Sequence, residues 1–343
     1  MRSAGMGVES RRNARSARDP VFPATFGGLV HTEFSEKRVT VPYVEQPSIS
    51  IGLLTIHGFG VIVAAAVYAG LFIGGRRFTR LGLDRTLGER LGWWVVVGGF
   101  LGAHLFSVLF YFPEKVADNP LVLFKLWEDI SSFGSILGGG LGVWLFFRIR
   151  APNIEAPTRW AYLDVAAFVF PISLMIGRLA CTIAHDHPGT VTDFPLAVSL
   201  QSERAREFIS RVYAGAGRLV ELPAPASLAT LGFHDLGWYE FLYLAIVVVP
   251  LILLLDRRAR RWRAQRPGIF LAAFVALYMP VRFLLDFLRV NDVRYGGLTP
   301  AQWAALGALT AFPFLLHRAL TAAGYQPMIG RATLGGLPDE QAR

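Results

Sequence analysis

The sequence predicts an all-α polytopic membrane protein with about seven transmembrane helices. The chain has 343 residues, of which 53% are hydrophobic and only 17% are charged. Its mean hydropathy is positive, at +0.42. Several apolar runs reach the roughly 18 residues that read as a membrane-spanning helix. The basic residues collect in short loops between these runs, which is typical of cytoplasmic loops.

The formal net charge of +9 does not by itself indicate nucleic acid. Because the basic residues lie beside apolar runs, we expect membrane lipids with anionic headgroups as partners and no nucleic acid. The single cysteine, Cys181, excludes an intramolecular disulfide framework and a cysteine-based metal cluster. We therefore expect no cofactor and no metal.

The apolar runs and the charges of the loops define the organisation of the chain. An N-terminal arm and interfacial segment (1–50) precedes a transmembrane domain (51–320) and a cytoplasmic tail (321–343). An N-terminus outside and a C-terminus in the cytoplasm satisfy the charge bias of every short loop. The predicted spans are about 51–75, 91–112, 132–147, 162–184, 236–255, 268–288 and 299–320.

Two segments have a distinct predicted role. Residues 186–235 form a periplasmic insertion, in which 201–214 has the pattern of an amphipathic helix lying on the membrane surface. The glycine-rich run 134–142 allows close helix packing or a slot for lipid. The glycine run does not indicate a nucleotide site, because no strand precedes it.

The outer end of the fourth span is unusually polar. On a helix, Arg178, Cys181, Thr182 and His185 share one face, with Asp186 beside them. An arginine near the middle of a bilayer costs about 2.5–3.5 kcal/mol on insertion scales, so such a residue is a candidate functional group. We therefore expect a site at this end of the helix.

A second polar group lies on the sixth span. Arg282, Asp286 and Arg289 are spaced i, i+4 and i+7, which predicts one shared helix face. A structural ion pair between Arg282 and Asp286 is the simple alternative. Together with Arg178, however, the arginines exceed what one internal pair needs. Guanidinium groups bind phosphate bidentately, and a lipid headgroup is the phosphate at this depth.

The motifs that carry these residues resemble one known family. In order they are VGGFLGAHLFSVLFYFPE with NPLVLFKLWE, then SFGSILGGGLG, GRLACTIAHDHPG, HDLGWYE and VRFLLDFLRVNDVRYGGLTPAQW. From about residue 56 to the last span they resemble the bacterial prolipoprotein diacylglyceryl transferases. The resemblance implies a seven-helix enzyme of the bacterial inner membrane. It also implies transfer of the diacylglyceryl group of phosphatidylglycerol to the lipobox cysteine of a prolipoprotein signal peptide, with formation of a thioether and release of glycerol phosphate.

The resemblance assigns roles by position. The residues that match the family motifs are Arg178, Gly189, Tyr239, Glu240, Arg282 and Gln302. The arginines are expected to bind the phosphate during catalysis. Tyr239, Glu240 and Gly189 are expected to bind substrate, and we add Arg289, Cys181 and His104 to this binding group.

Several positions depart from the family pattern. Cys181 stands where the family has asparagine, while Asp186 and Asp286 stand where it has glutamate. Further departures are Phe133 at the family histidine, Phe59 at a tyrosine and His104 at an arginine. The chain therefore resembles a divergent branch of this family.

The implied reaction needs a base, since a free thiol has a pKa of about 8.5. With phenylalanine at the family histidine position, we expect His185 or His187, which flank Asp186, to act as the base. Asp186 and Asp286 also belong to the predicted catalytic group. The alternatives for this stretch are an interfacial turn or a metal site. Cys181 is more often a small buried core residue than a nucleophile.

The predicted function is therefore diacylglyceryl transfer from phosphatidylglycerol to a prolipoprotein. One alternative is a divergent paralogue with a different acceptor. Another is a non-catalytic lipid-binding or transport protein. Against a transporter stand the absence of internal repeats and the expectation that no polar groups continue into the inner half of the bundle.

Overall fold

The computed structural model describes residues 41–52, 54–125, 131–258 and 266–325. The predictions for the N-terminal arm up to residue 40 and for the tail beyond 325 lie outside the described residues. Within the described part, six helices are long and apolar enough to cross a membrane. The prediction of an all-α polytopic membrane protein is confirmed.

The spans follow the apolar runs of the sequence. Four of the six long spans are single helices: α1 (Gly58–Arg80), α2 (Arg85–Phe110), α5 (Ala156–Ala184) and α11 (Pro300–Thr321). The span Leu236–Arg258 consists of α8 (Leu236–Tyr243), a π-helical turn and α9 (Val249–Arg258). The remaining span consists of α10 (Ile269–Leu285) and a 3-10 turn that ends at Leu288. The third predicted run forms α4 (Ser132–Leu145), followed by a π-helical turn to Arg150. Two short helices, α3 (Pro113–Asp118) and α7 (Pro225–Leu228), lie in the connections.

The first span starts later than predicted, because its first residues form a hairpin. Strands β1 (Ser48–Ile51) and β2 (Leu54–His57) pair antiparallel, with Ile49 opposite Ile56. Isoleucine and threonine favour strands, and Gly52 takes the positive φ of +62° that a tight turn needs. Helix α1 therefore begins at Gly58 rather than near residue 51. His57 precedes the helix and is exposed.

Helices α2 and α4 pack through their glycines. A Cβ atom on Gly138 would lie 2.8 Å from the Cα atom of Gly102, and one on Gly102 would lie 2.5 Å from the carbonyl oxygen of Gly134. Only glycine permits backbones to approach this closely. The sequence left open close helix packing or a slot for lipid at this run, and close packing is correct for these glycines.

This contact gives a stability prediction. Gly138→Ala should lower the free energy of unfolding by about 1–3 kcal/mol, because the added methyl group overpacks the helix pair. Thermal unfolding of the purified protein in detergent measures the effect. Gly140→Ala is the matched control, since a Cβ atom there meets nothing within 4 Å. Equal unfolding temperatures for the two variants would contradict the packing argument.

The segment between α5 and α8 forms a small head. Strand β5 (Gly232–Asp235) lies between β3 (Pro188–Thr192) and β4 (Val198–Ser199), and both neighbours are antiparallel to it. Ser202 caps helix α6 (Glu203–Gly215), and its hydroxyl accepts a hydrogen bond from Ala205 N at 3.2 Å. We call residues 188–235 the head.

The prediction that residues 201–214 lie on the membrane surface is wrong. The apolar face of α6 is buried through Ala205, Ile209 and Tyr213. These side chains join Phe233 of β5 in a separate hydrophobic core inside the head. The amphipathic pattern correctly predicts a helix, but its apolar partner is the head's own sheet rather than lipid.

Four membrane helices bring their polar residues to the end of the bundle that carries the head. Helix α5 runs into β3 and α8 starts directly after β5. Near Arg289 the chain forms a backbone bridge to Gly189, so the end of α10 and the start of α11 also lie beside the head. We call this the head end and the opposite end the far end.

The expectation that polar groups are absent from the far half of the bundle is wrong. Arg77 near the end of α1 pairs with Asp256 of α9 at 2.6 Å. Asp164, near the start of α5, is buried and accepts a hydrogen bond from Phe270 N, at the first turn of α10, at 2.8 Å. These groups join and cap helices, and this argument against a transporter therefore fails.

Candidate active site

A buried carboxylate, Glu240 of α8, is the centre of the head-end cluster. It is fully buried, and its two oxygens contact different cations. Arg282 of α10 donates from Nη1 to Oε1 at 2.6 Å, while Arg178 Nε lies 2.8 Å from Oε2. The Tyr278 hydroxyl also donates to Oε2. One carboxylate thus joins α5, α8 and α10.

A second buried carboxylate, Asp286, supports Arg282 from the other side. Its Oδ1 lies 2.9 Å from Arg282 Nη1, which is the ion pair expected from the i, i+4 spacing. Its Oδ2 accepts a hydrogen bond from the hydroxyl of Thr299, the residue that caps α11. The cluster therefore extends to a fourth helix.

The formal charges of Arg178, Arg282, Glu240 and Asp286 sum to zero. Such a balance is required of charges buried this deeply, since an unpaired one costs several kcal/mol. Within the described residues, neither arginine uses its Nη2 atom in a hydrogen bond or ion pair. The site thus retains donors for an anionic ligand.

His187 faces this cluster with a defined proton arrangement. Its Nδ1 is hydrogen-bonded to the Asp186 carboxylate, and its Nε2 lies 3.2 Å from Arg178 Nη1. An arginine can only donate, so Nε2 must accept and the proton must be on Nδ1. His187 is therefore a neutral imidazole whose lone pair points toward the arginines, in the orientation of a general base.

His185 does not join the arginine cluster, although the sequence predicted one shared helix face. It ends α5 in the left-handed conformation, with φ of +50°, which turns its ring away. Nδ1 contacts Asp235 Oδ2 at 2.6 Å and Nε2 contacts the carbonyl oxygen of Val44 at 3.1 Å. The ring stacks on Tyr43 at 4.7 Å. Because both nitrogens face oxygen acceptors, neither presents a lone pair to substrate.

One group of side chains has the composition of a metal site. The candidate ligand atoms of Cys181, Asp186 and His187 all lie within 4.8 Å of one another. However, Arg178 Nη1 lies 3.7 Å from the Cys181 sulfur and 3.2 Å from His187 Nε2. A guanidinium beside two of the three ligands would repel a divalent cation, so the group suits proton transfer or anion binding better than metal binding.

Gly189 and Arg289 border the cluster rather than enter it. A Cβ atom on Gly189 would lie 2.9 Å from the carbonyl oxygen of Leu288 and 2.9 Å from a side-chain carbon of His234, so only glycine fits. Arg289 pairs with Asp292 at 3.0 Å. Burial raises the pKa of the Asp292 carboxyl, and the charge of Arg289 offsets part of this rise. Because α10 ends at Leu285, Arg289 does not share a helix face with Arg282, and the i+7 prediction is wrong.

Two further residues predicted to bind substrate have other contacts. The Tyr239 hydroxyl is 2.9 Å from His234 Nδ1 in the head, and burial lowers the pKa of His234. His104 of α2 is fully buried, and its Nε2 is 3.0 Å from the carbonyl oxygen of Val122. Neither contact reaches the arginines. The side chain of Phe133 lies outside the described residues.

Sequence reasoning missed two members of the cluster and the partner of His185. Tyr278 lies four positions before Arg282, so helical periodicity places it on the same face and gave a usable signal. Thr299 could have been recognised as a helix cap, because a proline and a glutamine follow it. The pairing of Asp235 with His185 spans 50 positions and has no local signature.

The family model and the similar proteins that match this chain all have the same family description. The family model described as prolipoprotein diacylglyceryl transferase matches residues 46–317. Similar proteins named phosphatidylglycerol–prolipoprotein diacylglyceryl transferase occur in several bacteria. That of Chromohalobacter salexigens is 28% identical over 81% of this chain and 91% of its own. That of Pseudomonas aeruginosa is 28% identical over 81% and 92%, and that of Pseudomonas syringae 25% over 80% and 91%.

Proposed function

The chain belongs to the prolipoprotein diacylglyceryl transferase family, and from this premise we propose that it transfers the diacylglyceryl group of phosphatidylglycerol to a prolipoprotein. The acceptor is the lipobox cysteine thiol of the signal peptide. The sulfur displaces the phosphate at the glycerol carbon, so a thioether forms and glycerol phosphate leaves. The observation that carries the proposal is the buried pair Arg178 and Arg282, whose Nη2 atoms no described residue engages.

The arrangement of the carboxylates supports phosphate binding. Glu240 gives one oxygen to each arginine, and Asp286 gives only one oxygen to Arg282. Neither arginine is therefore held in a two-point fork by a single carboxylate. Both keep part of the guanidinium fork for the phosphate oxygens, whose negative charge grows as the carbon–oxygen bond breaks.

His187 is proposed as the base that takes the thiol proton. Asp186 holds the ring through Nδ1, which leaves Nε2 as the acceptor. In the structure Arg178 occupies that lone pair at 3.2 Å. Phosphate binding to Arg178 would draw the guanidinium toward the lipid and free Nε2 for the thiol. The proton can then pass to the departing phosphate in the same pocket.

The membrane setting follows from the same proposal. Phosphatidylglycerol and the signal peptide both reside in a bilayer, so the enzyme is a multi-pass protein of the bacterial inner membrane. The head end faces the periplasmic side. Lipid is expected to enter sideways between helices, but not between α2 and α4, because their glycines bring the two backbones into contact.

The first experiment is transfer of labelled diacylglyceryl from phosphatidylglycerol to a lipobox peptide by the purified protein. We expect transfer, and we expect its loss in Arg282→Ala. Binding of phosphatidylglycerol without transfer would favour a paralogue with a different acceptor, an alternative that the phenylalanine at position 133 supports. If the protein neither binds phosphatidylglycerol nor transfers its diacylglyceryl group, the proposal is refuted.

The two histidines should differ in their response to substitution. His187→Gly should reduce turnover by about 10²–10⁴-fold, the usual contribution of a general base, and added imidazole should restore part of it. His185→Gly should not be rescued, since that ring holds Val44 and Asp235 rather than a reacting proton. Rescue of His185→Gly alone would reverse the assignment.

A further inference from the structure

We propose that Thr299 is a positioning residue for the transfer reaction, and that its hydroxyl holds Asp286 so that Arg282 keeps donors for the phosphate. The inference rests on the proposed function, because it concerns the same phosphate site. Thr299 and Asp286 are both fully buried. The hydroxyl of Thr299 lies at the first turn of α11 and reaches across to the end of α10.

The direction of each hydrogen bond around Thr299 is fixed. Its Oγ1 accepts from Gln302 N at 3.1 Å, which is the helix cap. A hydroxyl has one proton, and this proton is therefore left for Asp286 Oδ2. Gln302 is fixed as well: its Oε1 accepts from Thr299 N at 2.9 Å and its Nε2 donates to Phe283 O at 3.1 Å.

This arrangement limits what Asp286 can do. With Oδ2 held by Thr299, only Oδ1 faces Arg282, at 2.9 Å. A carboxylate free to turn would meet the guanidinium in a two-point fork, which is the preferred geometry of such pairs. That fork would occupy the donors that the phosphate needs. The cap of α11 thus keeps the arginine available.

Capping and positioning can be separated by substitution. Asp, Asn, Ser and Thr all cap helices well, but only a hydroxyl accepts from the backbone and donates to a carboxylate without adding charge. Thr299→Ser keeps both functions. Thr299→Asp keeps the cap and places a second carboxylate against Asp286. Thr299→Val keeps the shape and loses both functions.

The experiment measures kcat and KM for phosphatidylglycerol in the transfer assay, and phosphatidylglycerol binding without peptide. Thr299→Asp and Thr299→Val should each lower kcat/KM about 10–100-fold, the range expected for a hydrogen bond to a charged group. Thr299→Ser should stay within about threefold of the wild type. Ser202→Asp is the matched control, because Ser202 also caps a helix but its hydroxyl has only the Ala205 N–H as a described partner.

The coupling to Asp286 provides the decisive comparison. In an Asp286→Ala background, Thr299→Val should change phosphatidylglycerol affinity by less than about threefold, because the carboxylate that it positions is gone. Full activity of Thr299→Asp would overturn the inference. So would an effect of Thr299→Val on phosphatidylglycerol affinity that is as large in the Asp286→Ala background as in the wild type. Either result would leave the proposed function intact if the wild type transfers lipid. If the wild type binds phosphatidylglycerol but does not transfer its diacylglyceryl group, the binding measurements still test the role of Thr299.

Discussion

Glu240→Gln is expected to lower the free energy of unfolding by about 3–5 kcal/mol and to abolish transfer. Glutamine keeps the shape of the side chain but leaves Arg178 and Arg282 buried with only Asp286 as a counter-charge. Removing one partner of a buried ion pair has a cost of this size. The two guanidinium groups would also repel each other and lose the geometry that Glu240 imposes at 2.6 Å and 2.8 Å.

Thermal unfolding in detergent, with and without phosphatidylglycerol, measures this effect. The lipid phosphate can replace the missing charge, so phosphatidylglycerol should stabilise Glu240→Gln more than it stabilises the wild type. Glu221→Gln is the control, because that carboxylate forms an exposed pair with Arg218, and exposed pairs contribute little to stability. If Glu240→Gln were as stable as this control, Glu240 would not be the counter-charge that stabilises the two buried arginines.

Arg178→Lys should reduce turnover by at least about 100-fold. The guanidinium contacts Glu240 through Nε and His187 through Nη1 at the same time, which the single ammonium group of lysine cannot do. Lysine also cannot make the two-point contact with the phosphate, and the lost charge-assisted hydrogen bond is worth up to about 3 kcal/mol, which corresponds to roughly 100-fold in rate. The charge itself is retained, so the change should act on kcat more than on folding.

The measurement is kcat and KM for phosphatidylglycerol in the same transfer assay. Arg204→Lys is a suitable control, because Arg204 forms an exposed pair with Glu45 on the head. Near-normal turnover of Arg178→Lys would remove two-point phosphate contact from the mechanism. A rise in KM alone would assign Arg178 to lipid binding and not to the transition state.

Much of the fold could be predicted because bilayer-spanning helices have a strong signal. Each predicted apolar run contains a helix, since length and hydropathy alone identify such segments. The hairpin before α1 was missed because its isoleucines continue the apolar run, and only Gly52 marks the turn. The surface placement of α6 failed because a large apolar face does not reveal whether sheet or lipid covers it.

The candidate site was predictable where charge stands against an apolar background. Arg178 and Arg282 were found in this way, and the structure brings both to Glu240. His185 was misplaced because helical spacing holds only while the helix continues, and α5 ends at that residue in the left-handed conformation. Long-range partners such as Asp235 depend on the tertiary fold and leave no trace in local spacing.

The shared carboxylate also constrains how the chain is assembled during synthesis. Arg178 enters the bilayer with α5 before Glu240 has been made, and Glu240 precedes Arg282 by 42 positions. Arg178 therefore has no counter-charge from Glu240 until α8 is inserted, and an unpaired arginine in a bilayer costs about 2.5–3.5 kcal/mol. The last helices to be translated complete the neutral cluster. The Arg178–Glu240 pair can thus form once α8 is in place, and α10 then adds Arg282 and Asp286 together, without a change of net charge.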